Sequence, residues 1–529
     1  MLASRLNGAY LYIKKNPWPL LLFLLGAVIR ILYIGSIPPG LNQDEASIGY
    51  DAYSILHYGI DRNGVHLPIH LIAWGSGQNA LYAYLSMPFI WLFGLTPMSV
   101  RAVSLIMGLL GMLVFYLVAK QLFTSRAAGN AAMFFIAINP WHIMMSRWAL
   151  ESNLFPTLIL LSVYFVLKTL KIPRWSYVFT ILLALSLYAY GTAYFFVPVF
   201  ALATAILLFY IKALKLRTIL WNGLMFIIIA LPILLFVMIN RLKLQSIETP
   251  LFTIPRLTTP RMEQVSSVFS GDLIHTAVGH FREFIKLMIS GNDGLLWNSI
   301  SPYGYAYPIA LPFVLIGLVV MLRTVPKRDH EGQGQAIILL WLLVSVLMAC
   351  VTNVNINRIN VIFYPIILLL VAGFMWVMQR IKGLGLTSIA AFSLCFVLFC
   401  SAYFNDFPER VGPAFYNSIG EAIQYASEDA EGKVYVTDKV NMPYIYALFY
   451  EKINPNDFLA TVKYTNPGAA FQKVYTFGRY VFVLGSPTII PGENAAYIYW
   501  NGDTIPAQSE NYKIKRFANY TVVVTSGDL

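Results

Sequence analysis

The chain has 529 residues, of which 58% are hydrophobic and 12% charged, with a formal net charge of +12 and a mean hydropathy of +0.64. A soluble domain of ordinary composition is excluded. So is a nucleic-acid-binding protein, because the excess of Lys and Arg is not gathered into a basic face.

Residues 17–37 form the first apolar run, long enough for a bilayer that takes about 20 apolar residues. It lacks a small-residue cleavage site before its polar flank, so it is expected to be a retained anchor. Just beyond it stands the carboxylate pair Asp44-Glu45, in GLNQDEASIGYDAY. Adjacent acids at the mouth of a span are costly near lipid and are expected to face water or a cavity.

Residues 38–100 make an unusually long loop, with an amphipathic stretch, the turn IDRNG, a glycine-rich WGSGQN and an apolar helix over about 79–93. That helix has no basic inner flank and is placed on or partly in the outer leaflet. Further spans are expected near 101–122, 127–145, 154–170, 175–191, 193–211, 218–239, 306–322, 335–352, 359–378 and 385–403. With the first run this makes eleven. Short basic loops at Arg5/Lys14/Lys15, Lys120/Arg126, Lys168/Lys171/Arg174, Lys212/Lys215/Arg217, Arg323/Lys327/Arg328 and Arg380/Lys382 orient them, with the N-terminus cytoplasmic. Of the 25 acids, only Asp329 and Glu331 then fall on the cytoplasmic side.

A second long outer segment, 240–305, begins rich in Pro and Thr and turns amphipathic, as suits a loop over a membrane cavity. Cys350, Cys395 and Cys400 all lie in apolar spans, so no disulfide framework or thiolate metal cluster is expected. Hydropathy drops after residue 403. There GEAIQYASED reads as a helix, KVYVTD and YVFVLG as strands, and YKIKRFANYTVVVTS as a final strand pair. The expected architecture is an all-α polytopic membrane domain over 1–403, with about eleven transmembrane helices, and a small extracytoplasmic α/β domain over 404–529. The excess positive charge reads as topology and contact with anionic membrane lipids.

The stretch PPGLNQDEASIGYDAYSILHYGIDRNGVHLPI, followed by GQNALYAYLSMPFIWLFGLTPMSVRAVSLIMGLLGMLVFYLVAKQLF, resembles the membrane-embedded GT-C glycosyltransferases. More narrowly, it is similar to the bacterial relatives of protein O-mannosyltransferases and of the lipid A aminoarabinose transferase. The likeness covers roughly residues 15–200. It rests on the acid pair after span one, the long outer loop, the LFG-to-arginine opening of span two and the SRxAL segment closing span three. It implies a polyprenyl-phosphate-linked sugar donor and an acceptor on the outer face: a cell-envelope glycan, a glycolipid or a protein.

Such a transfer needs a carboxylate to take the acceptor hydroxyl's proton. It also needs cationic groups to hold the lipid phosphate that leaves. By the resemblance Asp44 is the base and Glu45 orients it or holds the acceptor. On residue type alone, Asp44 instead caps a helix N-terminus and Glu45 benefits from its dipole. Arg147 suits donor-phosphate binding, with Glu151 four residues on, where the relatives more often carry Asp five on. The alternative is a snorkelling arginine paired with Glu151 one turn later. Arg358, at the outer start of span ten, is the second phosphate candidate or another interfacial arginine. Trp74 and Tyr82 are candidate sugar-stacking rings. Gln78-Asn79 stands where many relatives have Pro-Pro, and so marks an acceptor-specific loop. His57, His66 and His70 lack the spacing of a ligand set, so neither a metal site nor another cofactor is indicated. Two rival readings stay open: a transporter or lipid flippase, and a noncatalytic relative that binds wall glycan.

Overall fold

The computed structural model describes residues 16–260, 273–327, 329–507 and 511–526. Arg5, Lys14, Lys15 and Arg328 of the basic loops, and part of the second long segment, lie outside the described residues. Among the described residues eight helices are long and apolar enough to cross a membrane: Pro97–Phe123, Glu151–Thr169, Ala193–Tyr210, Leu216–Leu242, Pro308–Lys327, His330–Val351, Ile356–Arg380 and Leu384–Phe415. The other three expected spans appear as shorter apolar helices, Trp18–Ile31, Arg126–Ile138 and Trp175–Tyr188. The chain is a multi-pass membrane protein. Expected span 127–145 is in fact broken. Asn139 leaves the helix and its side chain caps a separate short helix, Pro140–Met145.

The Ile356–Arg380 helix is the most buried of the eight, whereas Pro308–Lys327 and Leu384–Phe415 expose most of their apolar surface, as lipid-facing helices do. Its close neighbour is the helix Leu311–Thr324. A Cβ on Gly317 would lie 1.9 Å from the Leu369 carbonyl oxygen, and one on Gly373 at 1.9 Å from that of Phe313. Two facing glycines let these backbones touch, the small-residue device of membrane helix pairs.

The first long loop is mostly structured. Asn42 caps the helix Gln43–Tyr58, its side chain accepting from the Asp44 amide at 3.0 Å while Glu45 Oε2 accepts from the Asn42 amide at 3.1 Å. The cap is therefore Asn42, and Asp44 is the second residue of the helix. Strands β1 (His70–Leu71) and β2 (Gln78–Asn79) form a small hairpin, followed by the 13-residue helix Leu81–Phe93. The segment 240–305 is less loop-like than its composition suggested. It holds the hairpin β3 (Ile247–Glu248) and β4 (Thr253–Ile254), then the amphipathic helix Leu273–Ser290.

The boundary at 403 falls inside a continuous helical run that reaches Phe415. Beyond it lies a seven-stranded sheet. Its strands are β5 (Val434–Val436), β6 (Lys463–Tyr464), β7 (Val474–Phe477), β8 (Tyr480–Phe482), β9 (Ala495–Trp500), β10 (Tyr512–Arg516) and β11 (Tyr520–Thr525), in the order β10-β11-β9-β5-β8-β7-β6. Strand β5 runs parallel to both β8 and β9, and the other pairings are antiparallel. The expected strands at 434, 480 and 512–525 are all present. Strand β9 and the helix Tyr444–Glu451, both wholly apolar in their buried parts, lacked the alternation that marks a half-exposed element.

This domain is seated on the first long loop. The Tyr50 hydroxyl donates to the Ile453 carbonyl at 2.7 Å, and the Tyr446 hydroxyl to that of Leu41 at 3.1 Å. Three distant segments meet at residues 74–77. The Gln472 amide donates to Trp74 O at 2.9 Å, the Thr259 amide to Gly75 O at 3.0 Å, and Gly75 bridges Phe471.

Candidate active site

Three buried arginines build the floor beneath the acid pair. Arg101 Nε and Nη2 donate to the two oxygens of Glu45 at 2.9 and 3.0 Å, and its remaining donors reach the carbonyls of Ile34, Pro38 and Gly40. Glu45 Oε1 also accepts from the Ala149 amide at 2.8 Å. With the Asn42 amide on Oε2, this carboxylate is hydrogen-bonded on every side and fully buried. Glu45 thus fixes the helix start and the 147–150 segment, and its oxygens do not reach the site that the sequence assigned to it.

Arg147 is likewise bound within the fold. Its Nε donates to the Tyr403 hydroxyl at 3.0 Å, Nη1 to the carbonyls of Ile29 and Arg30, and Nη2 to those of Leu32 and Ile37. All five donors are taken by groups of the protein, and the guanidinium lies over the Tyr403 and Phe404 rings. It ties off the carbonyl end of the Trp18–Ile31 helix. This corrects the reading of Arg147 as a phosphate ligand, since no N–H is left for one. Arg30 does the same for the next helix, donating to Ile136 O and Ala137 O.

Above this floor opens a cavity of about 380 Å³. Among the described residues Asp44 and Glu151 supply its carboxylates and Arg358 its one cationic side chain. Trp74, Trp148, Tyr190, Trp297 and Phe471 supply rings, and Asn42, Gln43, Gln78, Asn355, Asn357 and Asn441 supply neutral amides. Asp44 projects from the first turn of its helix, where the dipole favours the ionised carboxylate. Arg358 is half-buried. Its amide is capped by the Asn355 side chain at 2.9 Å, and its guanidinium touches the backbone only at Asn353 O, at 3.4 Å. Glu151 accepts from the Asn79 amide and so joins the β1–β2 hairpin to the cavity. Tyr190 lies between the charges. Its hydroxyl pKa is raised, first by burial and then by Glu151 and Asp44, and opposed by Arg358, which hydrogen-bonds to it.

The structure therefore brings Asp44, Glu151, Arg358, Trp74 and Gln78 to one cavity. It does not bring Tyr82, which is fully buried with its hydroxyl on Val100 O and Ser104. Asn79 is also buried, its side chain on Leu187 O and the Tyr194 hydroxyl. Tyr82, in the helix Leu81–Phe93, is hence a packing residue, and Asn79 is a brace for Glu151, because strand alternation turns it away from the face that Gln78 presents. His70 is stacked on Phe236 at 4.1 Å, and burial lowers its pKa to about 4. Among the described residues no group of three or more His, Cys, Asp and Glu is gathered where a metal ion could sit.

Beneath Trp74 lies a cluster with no motif to announce it. Arg62 sits 4.3 Å under the indole centroid, and its Nη1 meets Asp51 Oδ2 at 3.3 Å and the Ser47 hydroxyl at 2.8 Å. Asp61 accepts from the Asn63 and Val65 amides, each at 2.9 Å. Burial, then the charge of Asp51, raises the Asp61 pKa to about 7, and burial also raises that of Asp51 against the pull of Arg62. The only hint in the sequence was charge: Asp51, Asp61 and Arg62 fall within 12 residues of one another.

No family model matches the chain, and no curated protein matches it in sequence. Solved structures do resemble it. ArnT from Cupriavidus metallidurans in the apo state superposes with a TM-score of 0.52 at 10% identity, covering 83% of this chain and 85% of that one. The same protein bound to undecaprenyl phosphate gives 0.52 at 12%, covering 82% and 85%. The archaeal oligosaccharyltransferase AglB from Archaeoglobus fulgidus, in complex with an inhibitory peptide and a dolichol-phosphate, gives 0.47 at 12%. That match covers 83% of this chain, which spans 64% of AglB. At such identities the likeness is one of fold, and the fold is the GT-C type expected from the sequence.

Proposed function

We propose that this chain is an integral membrane glycosyltransferase that moves one sugar from a polyprenyl-phosphate carrier to an acceptor hydroxyl on the outer face of the cell membrane. In this reading the N-terminus is cytoplasmic and the α/β domain extracytoplasmic. The observation that carries it is the placement of Asp44 and Arg358 on one cavity, below a domain that covers the cavity's open side. The ArnT structure that holds undecaprenyl phosphate has the same fold, which supports a lipid-phosphate donor.

The acceptor oxygen attacks the anomeric carbon as that carbon's bond to the phosphate oxygen breaks. The hydroxyl proton passes to Asp44, kept ionised at the helix N-terminus. The departing lipid phosphate keeps the bonding pair, and Arg358 offsets its charge. Glu151, held by the Asn79 amide, borders the same space and orients the acceptor. A single displacement inverts the anomeric configuration.

Transfer from a panel of polyprenyl-phosphate sugars by wild type and Asp44→Asn tests this reading. Loss of a general base lowers turnover by about 10²–10⁴-fold, with donor binding retained. If wild type transfers from no donor, the fold serves transport or glycan binding instead. Retention of configuration in the product would exclude the single displacement.

A further inference from the structure

The open side of the cavity is closed by one particular feature of the α/β domain. Strand β5 lies between two parallel neighbours, β8 on one side and β9 on the other. The chain leaves β5 for the sheet edge at β6, returns inward through β7 to β8 beside β5, and only then crosses to form β9 on the other side of β5. The carboxyl end of β5 is therefore a topological switch point, where loops part and leave a crevice, the place at which open α/β sheets take their ligands. The loop leaving this end, residues 437–443, carries Asn441 and Met442, and both line the cavity. Met442 holds a left-handed φ of +51°, a conformation that a non-glycine side chain keeps only where its surroundings impose it. Phe471, 41% exposed, reaches the same rim beside Trp74.

The chemistry of the lining narrows what it takes. A phosphorylated acceptor would need cations of its own, yet among the described residues Arg358 is the one cationic side chain that lines the cavity, and the donor phosphate requires it. The Asp44 carboxylate repels a further anion. What remains is a row of rings and uncharged amides. Rings bind the apolar faces of sugars, and amides both give and accept the bonds of hydroxyl groups. We infer that the acceptor is a neutral oligosaccharide, held at the switch-point crevice by Asn441 and Phe471 while its terminal hydroxyl reaches Asp44. This rests on the transferase reading above and names its acceptor class.

The test is direct binding by the full-length protein in detergent, measured against neutral gluco-, manno- and galacto-oligosaccharides, phosphorylated oligosaccharides and Ser/Thr peptides. Undecaprenyl phosphate binding is measured on the same samples. At least one neutral glycan is expected to bind, with affinity about tenfold weaker in Phe471→Ala and Asn441→Ala, restored in Phe471→Trp, and with undecaprenyl phosphate binding unchanged. Both positions are exposed, so the variants keep the fold. Binding only to phosphorylated glycans or to peptides overturns the inference, as does neutral-glycan binding that neither alanine variant weakens. Glycan binding of the expected kind without sugar transfer from any donor overturns the transferase reading alone.

Discussion

Arg101 holds Glu45 through two parallel bonds of 2.9 and 3.0 Å, with both side chains fully buried. Asp44, the next residue, lines the cavity. One peptide bond thus separates a carboxylate that holds the protein together from one that faces the cavity. On the start of a helix, successive side chains point about 100° apart, and here that rotation divides the two roles.

The division is measurable. Glu45→Gln leaves the Arg101 charge buried without its counter-ion, and breaking such a pair costs about 3–5 kcal/mol. Glu45→Gln is expected to lower the unfolding midpoint in detergent sharply, with activity lost in proportion to folded protein. Asp44→Asn is expected to keep the wild-type midpoint and lose turnover. Equal midpoints for the two variants would refute the assignment.

The arginines divide in the same way. Arg147→Ala strands the carbonyls of Ile29, Arg30, Leu32 and Ile37, and each unpaired buried group costs about 1–3 kcal/mol. Arg147→Ala should fail to accumulate, and Arg147→Lys, with three donors in place of five, should fold less stably yet bind donor normally. Arg358→Ala should leave stability within about 0.5 kcal/mol. It should raise the donor KM about 10–100-fold, the loss of a hydrogen bond to a charged group. Donor titrations on the folded fraction of each variant decide this.

Asp61 gives a signature in pH. Its ordinary value of 3.8 applies to the unfolded chain, and burial raises the folded value to about 7. Between these values the folded protein holds a proton that the unfolded chain has released. The Asp61 contribution to stability is therefore fullest below about pH 4 and declines up to about pH 7. Among charged groups Asp51 and Arg62 act on it most strongly, and Tyr84 and Tyr464 lie within reach of its charge. Asp61→Asn should flatten stability across this window, read by proteolysis of the 59–80 segment at fixed temperature. An unchanged slope would place the titration elsewhere.

Much of this was legible in the chain, for reasons that also explain the failures. Apolar runs located all eight of the long apolar helices among the described residues, since length and hydropathy obey simple rules at a bilayer. Alternating strands such as β10 were readable, and the continuously apolar β9 was not. Asp44 and Arg358, which both line the cavity, stood out in the sequence because a carboxylate or guanidinium after an apolar run is conspicuous. The same conspicuousness misled at Arg147 and Glu45, because sequence shows where a charge lies along the chain but not which carbonyls surround it. Arg62 was missed for the converse reason. Its partners, Asp51 and Trp74, lie 11 and 12 residues away, and only the folded loop brings them together.

The last prediction concerns the joint between the α/β domain and the membrane domain. Gly75 has a φ of +112°, and a Cβ there would stand 2.7 Å from the Ala469 carbonyl oxygen. The obstacle is backbone, which no side-chain rotation relieves, and the conformation itself costs a non-glycine residue about 1–3 kcal/mol. Gly75→Ala must therefore push residues 469–472 away, with loss of the Gly75–Phe471 bridge and strain on the Gln472-to-Trp74 bond. The membrane helices do not pass through this joint, so the variant should fold and bind lipid phosphate as wild type does. Phe471, and the indole of Trp74 over Arg62, should shift together and open the acceptor side of the cavity. An acceptor KM raised about tenfold or more at an unchanged donor KM is the expected result. Equal loss on both substrates would mean that the joint supports the whole cavity rather than its acceptor side.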